Sequence, residues 1–481
     1  MLNPVLTKNR LLSPLGFPVL LVLIASLLRL IPVILAWPYP VGFDTNAFYL
    51  PGIFQGVPSL YTIFVSAQLN QFLLSSIYLL YPHPFVILNA FSIVLQAALA
   101  ESIYLYARKV TKLDLRLSFV AGLVFTLSIL TLRLTWDQYR MTLALIFVLL
   151  AWVSLGLDSK RKKYFSVPLI ILSVLSNPLP AGLFILSMLL YLFLKWRSLK
   201  QLQVEILTTV VGLSFFIAQQ YFAPPGQLIA TSVPIKFLGF SGELIRVVNG
   251  LDFLVFTGWT LLVLLPVMIF RIRNEYHWIW LGFVFASATL GPFVGLGVPP
   301  SWIYWLISFP LSILFVLALK NNQGKFVKYL GTFLIVVSLA MSLVYLSTSP
   351  TAPNAYFAST LSNSGSPTGY LQSTVDLPQQ PPLMNLLKKS ISYVGNNSTI
   401  YLPAQFYGLA LVLPNPRHVK LRNIGEIDPS FSNTSFSQIV QFKSSYTIWL
   451  TKPNGWYGVS SLPENFHVSL NGGEFSLYVI S

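Results

Sequence analysis

Cysteine is absent from the 481 residues, which excludes disulfides, thiol nucleophiles and thiolate metal sites. Acids are nearly as scarce: 14 Asp and Glu and 4 His leave few candidate bases, and the His and Cys spacing of a zinc site is missing. Charged residues of either sign make up only 9% of the chain, against about 25% in an ordinary soluble domain. A soluble globular protein is thereby excluded. The charge that remains is basic, 30 Lys and Arg for a net +16. On a membrane protein such a balance reflects loops that face the cytoplasm and anionic headgroups, so no nucleic-acid partner is expected.

What the chain has instead is apolar: 55% hydrophobic and 15% aromatic residues. The first long run, residues 11 to 37, follows Lys8 and Arg10 and lacks a small-residue cleavage site, so it reads as a first spanning helix rather than a signal peptide. Basic clusters then mark one side of the membrane. They lie at 107–116 (ARKVTKLDLR), 158–165 (DSKRKKYF), 195–200 (KWRSLK), 271–273 (RIR) and 320–328 (KNNQGKFVK). Runs between them are long enough to cross twice, which turns RLTWDQYR, SNPLP (176–180), the loop 221–250 and GVPPSW (297–302) outward. The predicted architecture is an all-α polytopic membrane domain of about eleven transmembrane helices, N-terminus cytoplasmic. Residues 60–82 are apolar, but Ser66, Gln68, Asn70, Gln71, Ser75 and Ser76 interrupt them; they read as an outer interfacial or re-entrant segment.

After Leu346 the composition turns to Ser, Thr, Pro and Asn, a linker by its chemistry. The expected domains are a membrane domain over 1–347, a linker over 348–381 and an extracytoplasmic α/β or α+β domain over 382–481. In that tail PLMNLLKKSISYVG has helical periodicity, while STIYLPA, YTIWLT, FHVSL and FSLYVIS read as strands.

With this threading the outward acids of the membrane part are Asp44, Asp137, Glu243 and Asp252. Asp44 follows the first apolar run directly. Together with Asp137, in the short turn before the fourth helix, it could share a divalent cation, or one could act as base while the other orients the acceptor. Asp44 could equally be a helix N-cap, and Asp137 a turn acid paired with Arg133 or Arg140. The outer cations are Arg133, Arg140, Lys236 and Arg246, with Arg29 inside the first run. An arginine that deep must snorkel, pair or line a polar cavity, and arginine suits a phosphate at headgroup level. Tyr49, Trp136, Trp302 and Trp305 are candidates for stacking on a sugar or prenyl chain; Trp302 and Trp305 could also anchor an aromatic belt.

The motif PVGFDT at 40–45 and the turn WDQYR at 136–140 resemble the P-x-G-[FY]-D-T and W-D-x-Y-R motifs of archaeal-type membrane glycosyltransferases of the GT-C superfamily. The resemblance spans most of the chain in layout. It implies inverting transfer of a sugar from a polyprenyl-phosphate carrier to an acceptor glycan or protein on the outer face, with Asp44 as general base and Arg29, Arg140 and Lys236 near the leaving phosphate. Thr45 and Asn46 stand where oligosaccharyltransferase-type members carry a second acid. A membrane scaffold that keeps this architecture without the activity, and a transporter, are the alternatives.

Overall fold

The computed structural model describes residues 16–42, 44–223, 243–271, 275–294, 300–321, 324–347, 380–423, 445–450, 466–473 and 475–480. The linker expected at 348–381 lies almost wholly outside the described residues, as does Lys236. The chain forms two compact units. One comprises Met1–Arg29, Pro58–Phe72 and Ser92–Leu346; the other comprises Leu30–Val57, Leu73–Phe91 and Ser347–Ser481.

Helices dominate. Among the described residues six are long and apolar enough to cross a membrane: Gly16–Ala36, Pro84–Lys109, Gln203–Phe222, Glu243–Leu262, Trp302–Asn321 and Lys325–Ser347. Leu115–Thr126 and Ile129–Trp136 would make a seventh span, bent by 62°. The bend falls at Ser128, whose backbone is extended (φ −71°, ψ 130°). Leu69–Leu80, Tyr139–Leu155 and Pro178–Leu194 are shorter apolar helices; the basic-loop count of crossings draws on the latter two and leaves out the first, which falls in the 60–82 segment.

Local chemistry explains several joints. Residues 60–82 are two helices, Leu60–Ser66 and Leu69–Leu80, separated by Ala67 in the left-handed region (φ 50°). At 1.5 Å per residue the longer one extends about 18 Å, short of a ~30 Å hydrocarbon core. Asn177 ends Ser166–Ser176 and caps Pro178–Leu194, its Oδ1 accepting from the Leu179 amide at 2.9 Å, with Pro178 at the first helical position, where no amide hydrogen is needed. The turn in WDQYR is a single residue, Gln138, between Ile129–Asp137 and Tyr139–Leu155. One expectation is corrected: Glu243 to Gly250, read as loop, are the first turns of the helix Glu243–Leu262. Glu243 and Arg246 pair there at 2.9 Å, the i,i+3 contact a helix provides.

In the second unit a mixed five-stranded sheet has the order β2-β1-β3-β5-β4, with β1 Thr399–Leu402, β2 Lys420–Asn423, β3 Ser445–Leu450, β4 Phe466–Asn471 and β5 Phe475–Ile480. β1 pairs in parallel with β2 and β3; β5 is antiparallel to β3 and β4. The helix Gln380–Tyr393 buries Leu383, Leu387 and Ile391, and the sheet buries Ile400, Leu402, Ile448, Leu477 and Ile480. A second, short helix, Ala404–Ala410, connects β1 to β2. It was not expected from sequence, nor was β2, an edge strand whose KLRN carries no apolar alternation.

Candidate functional site

The Asp44 loop is built by its neighbours. Gly42 holds φ 111°, a conformation that side chains resist, and so turns the chain sharply ahead of the acid. A five-residue π-helical turn, Thr45–Tyr49, follows, and such turns recur at functional sites because they leave the helical ladder incomplete. Asn46 is fully buried and ties the loop to itself, its Nδ2 donating to the Pro40 carbonyl at 3.2 Å and its amide to the Gly42 carbonyl at 3.3 Å.

Asp44 itself is half-buried, has helical backbone angles (φ −61°, ψ −32°) and makes no side-chain cap hydrogen bond. A capping role is therefore not what holds it there, because a cap needs an extended residue whose oxygen reaches the second or third amide. Tyr49 is buried in the same turn. Thr45 Oγ1 and Asn46 Oδ1 are buried without a hydrogen-bond partner among the described residues.

The first unit holds the cations. Arg29 is 1% exposed, its guanidinium lies over the Trp136 indole at 5.1 Å and its Nη2 donates to the Trp136 carbonyl at 2.9 Å. Its Nε and Nη1 have no hydrogen-bond partner among the described residues. Arg133, one turn earlier on Ile129–Asp137, is also buried and lies 4.9 Å from the Trp305 ring, on which Trp302 stacks at 5.9 Å. Trp136 Nε1, Trp305 Nε1, Thr131 Oγ1, Ser128 Oγ and Tyr304 OH are likewise buried with no hydrogen-bond partner among the described residues. Two cations and several donors are thus gathered on and around one short buried helix. Buried polar groups are normally satisfied, and an anion with several acceptor oxygens is the chemistry that would satisfy the two open nitrogens of Arg29.

The remaining candidates fall elsewhere. Arg140 donates through Nη2 to the Ser66 carbonyl at 2.9 Å and through Nε to that of Ser176 at 3.4 Å, so at least part of its fork pins two helix ends. Arg246 is engaged by Glu243. The Asp137 backbone closes the helix Ile129–Asp137; its side chain lies outside the described residues. Among the described residues no three His, Asp or Glu side chains gather to hold a metal ion. Sequence reasoning missed Ser128, Thr131 and Tyr304, whose only signal was a hydroxyl within an apolar run.

No protein-family model and no curated protein sequence matches the chain. Solved structures do. ArnT from Cupriavidus metallidurans, bound to undecaprenyl phosphate, aligns over 97% of this chain and 98% of its own with a TM-score of 0.54 and 12% identity. The arabinofuranosyltransferase AftD from Mycobacteria covers 98% of this chain and 40% of its own (TM-score 0.49, 14% identity). The Archaeoglobus fulgidus oligosaccharyltransferase covers 90% and 69% (0.44, 11%). At this identity the likeness is one of fold: the chain shares the overall fold of the ArnT structure.

Proposed function

We propose that this protein is a membrane glycosyltransferase that moves a sugar from a polyprenyl-phosphate carrier to an acceptor at the outer membrane face. The observation that carries the reading is Arg29: a buried guanidinium, two of whose nitrogens have no hydrogen-bond partner among the described residues. A buried charge without a counter-ion is costly, and evolution tolerates it in a membrane protein chiefly where a ligand or a moving charge compensates. A phosphate supplies both the charge and the acceptor oxygens. Support from fold comes from ArnT, whose structure holds undecaprenyl phosphate.

In this reading the Asp44 carboxylate takes the proton from an acceptor hydroxyl or amide as that group attacks the anomeric carbon. The bond from that carbon to the phosphate oxygen breaks with inversion, and the electron pair leaves with the polyprenyl phosphate. Arg29 and Arg133 stabilise the charge that develops on the leaving group, a task for which preorganised donors in a dry site are suited. Trp136 and Trp305 orient the two guanidiniums through their ring faces.

The same reading places about eleven crossings between a cytoplasmic N-terminus and an extracytoplasmic tail, with the membrane domain over 1–347 and the outer domain over 382–481. The direct test is binding. Undecaprenyl phosphate should raise the unfolding temperature of the purified protein, whereas the uncharged undecaprenol should not. An equal shift with both lipids would mean that the chain, not the phosphate, is recognised, and would remove the assignment to Arg29.

A further inference from the structure

The residues that follow Asp44 are held from the tail. The helix Ala404–Ala410 packs on the π-helical turn Thr45–Tyr49, and both belong to the second compact unit. Where they meet, Gly408 faces main chain. A Cβ at this position would run into the Asn46 carbonyl and would stand 3.2 Å from Pro51 Cδ. Gly408 has no left-handed φ, so its backbone would accept any residue. What excludes a side chain is solely the approach of Asn46.

That approach has a cost, since Gly in a short helix is about 1 kcal/mol less favourable than Ala. It also has a consequence. Asn46 is the residue that closes the loop around Asp44: from two positions beyond the acid it bonds back to Pro40 through its side chain and to Gly42 through its amide, both ahead of the acid. Thr45 and Asn46 are both fully buried, so a displaced carbonyl has no adjacent solvent into which to move. Pressure on Asn46 is therefore transmitted to both anchors just ahead of the acid, with Asp44 enclosed between them and Asn46.

We propose that Gly408 is a positioning residue for Asp44: its missing side chain lets the tail helix seat on Asn46 and fix where the carboxylate stands. The tail is then part of the catalytic apparatus rather than an appendage. The inference rests on the assignment of Asp44 as general base.

The test uses the full-length purified protein and a polyprenyl-phosphate-linked sugar donor. Gly408→Ala should lower kcat by about 10- to 100-fold, the effect of misplacing a reacting group by a fraction of an ångström to an ångström. The KM for the donor should stay within about twofold, and the acid limb of the kcat–pH profile should move by about half a unit or more, because the carboxylate changes surroundings. Gly395→Ala, whose Cβ would meet only Ser398 Oγ at 3.4 Å, should behave as wild type and controls for Gly→Ala changes in the tail. A kcat within about twofold of wild type, or a lower kcat with an unmoved acid limb, overturns the proposal.

Should Gly408→Ala fail to fold, Asn46→Leu carries the test from the other side of the contact. It keeps the branched skeleton of four side-chain heavy atoms and removes the donation to Pro40. The same lower kcat and shifted limb support the clamp, and wild-type kinetics overturn it. Asp44→Asn in parallel separates the two levels: a full rate in that variant removes the base itself, while a defect there beside a wild-type Gly408→Ala removes only the clamp.

Discussion

The guanidinium carbon of Arg29 lies over the Trp136 indole, 5.1 Å from its centroid, and Nη2 donates to the carbonyl of the same residue at 2.9 Å. Among the described residues Arg29 meets one hydrogen bond and one ring face, and these do not balance a fully buried cation, since the penalty for removing such an ion from water is several kcal/mol even after relaxation, against about 2 kcal/mol for a desolvated cation–π contact.

Arg29→Met should therefore leave the ligand-free protein as stable as wild type, or more so, while abolishing the gain in unfolding temperature on adding undecaprenyl phosphate. Stability and binding move in opposite directions, which a simple packing role does not produce. Thermal unfolding with and without the lipid phosphate checks both. Loss of stability in the ligand-free variant together with an intact lipid shift would assign Arg29 to structure.

At Asp44 the expectation is a loss of transfer by about 10²- to 10⁴-fold in Asp44→Asn, which keeps the size but cannot accept a proton. Because the carboxylate makes no cap hydrogen bond, Asp44→Ala should unfold within about 0.5 kcal/mol of Asp44→Asn rather than losing the further 0.5–2 kcal/mol of a lost cap. Turnover and chemical unfolding on the two variants are the measurements; equal turnover in wild type and Asp44→Asn would rule out this base.

Arg140 should behave differently from Arg29. It donates to the carbonyls that end Leu60–Ser66 and Ser166–Ser176, so Arg140→Gln should cost about 1–3 kcal/mol of stability through unsatisfied acceptors and expose the 60–70 segment to protease. The donor KM should change by no more than about twofold. A tenfold rise in KM at unchanged stability would instead return Arg140 to the phosphate.

The absence of cysteine makes sidedness directly measurable. Ser392 and Arg161 are both exposed. A single cysteine at Ser392→Cys should react with an impermeant maleimide added to intact cells, whereas one at Arg161→Cys should react only after permeabilisation. The reverse pattern would invert the threading and move Asp44 to the cytoplasmic face.

Much of this was legible in the residues because their effects are local. Asn177 with Pro178 ends one helix and opens the next through chemistry confined to three positions, and a lone acid after an apolar run marks Asp44 without any knowledge of its neighbours. The bend at Ser128 was not legible: no Gly or Pro announces it, and an extended serine in an apolar run looks like continuing helix. Glu243 to Gly250 were misread for a related reason, since a polar, uneven stretch next to an outer loop looks like loop until its helical hydrogen bonds are seen.

The sequence by itself determined the solvent, the scarcity of bases, the two short motifs and the class of fold they imply, because composition and short spacings are properties of the chain alone. The tertiary structure decided which side chains meet. Arg29 and Trp136 are 107 positions apart, and Gly408 reads in isolation as a weak point in a seven-residue helix. Periodicity relates a residue only to neighbours three or four positions away, so neither the buried charge over an indole nor the glycine that admits the Asn46 carbonyl exists until packing brings distant segments together.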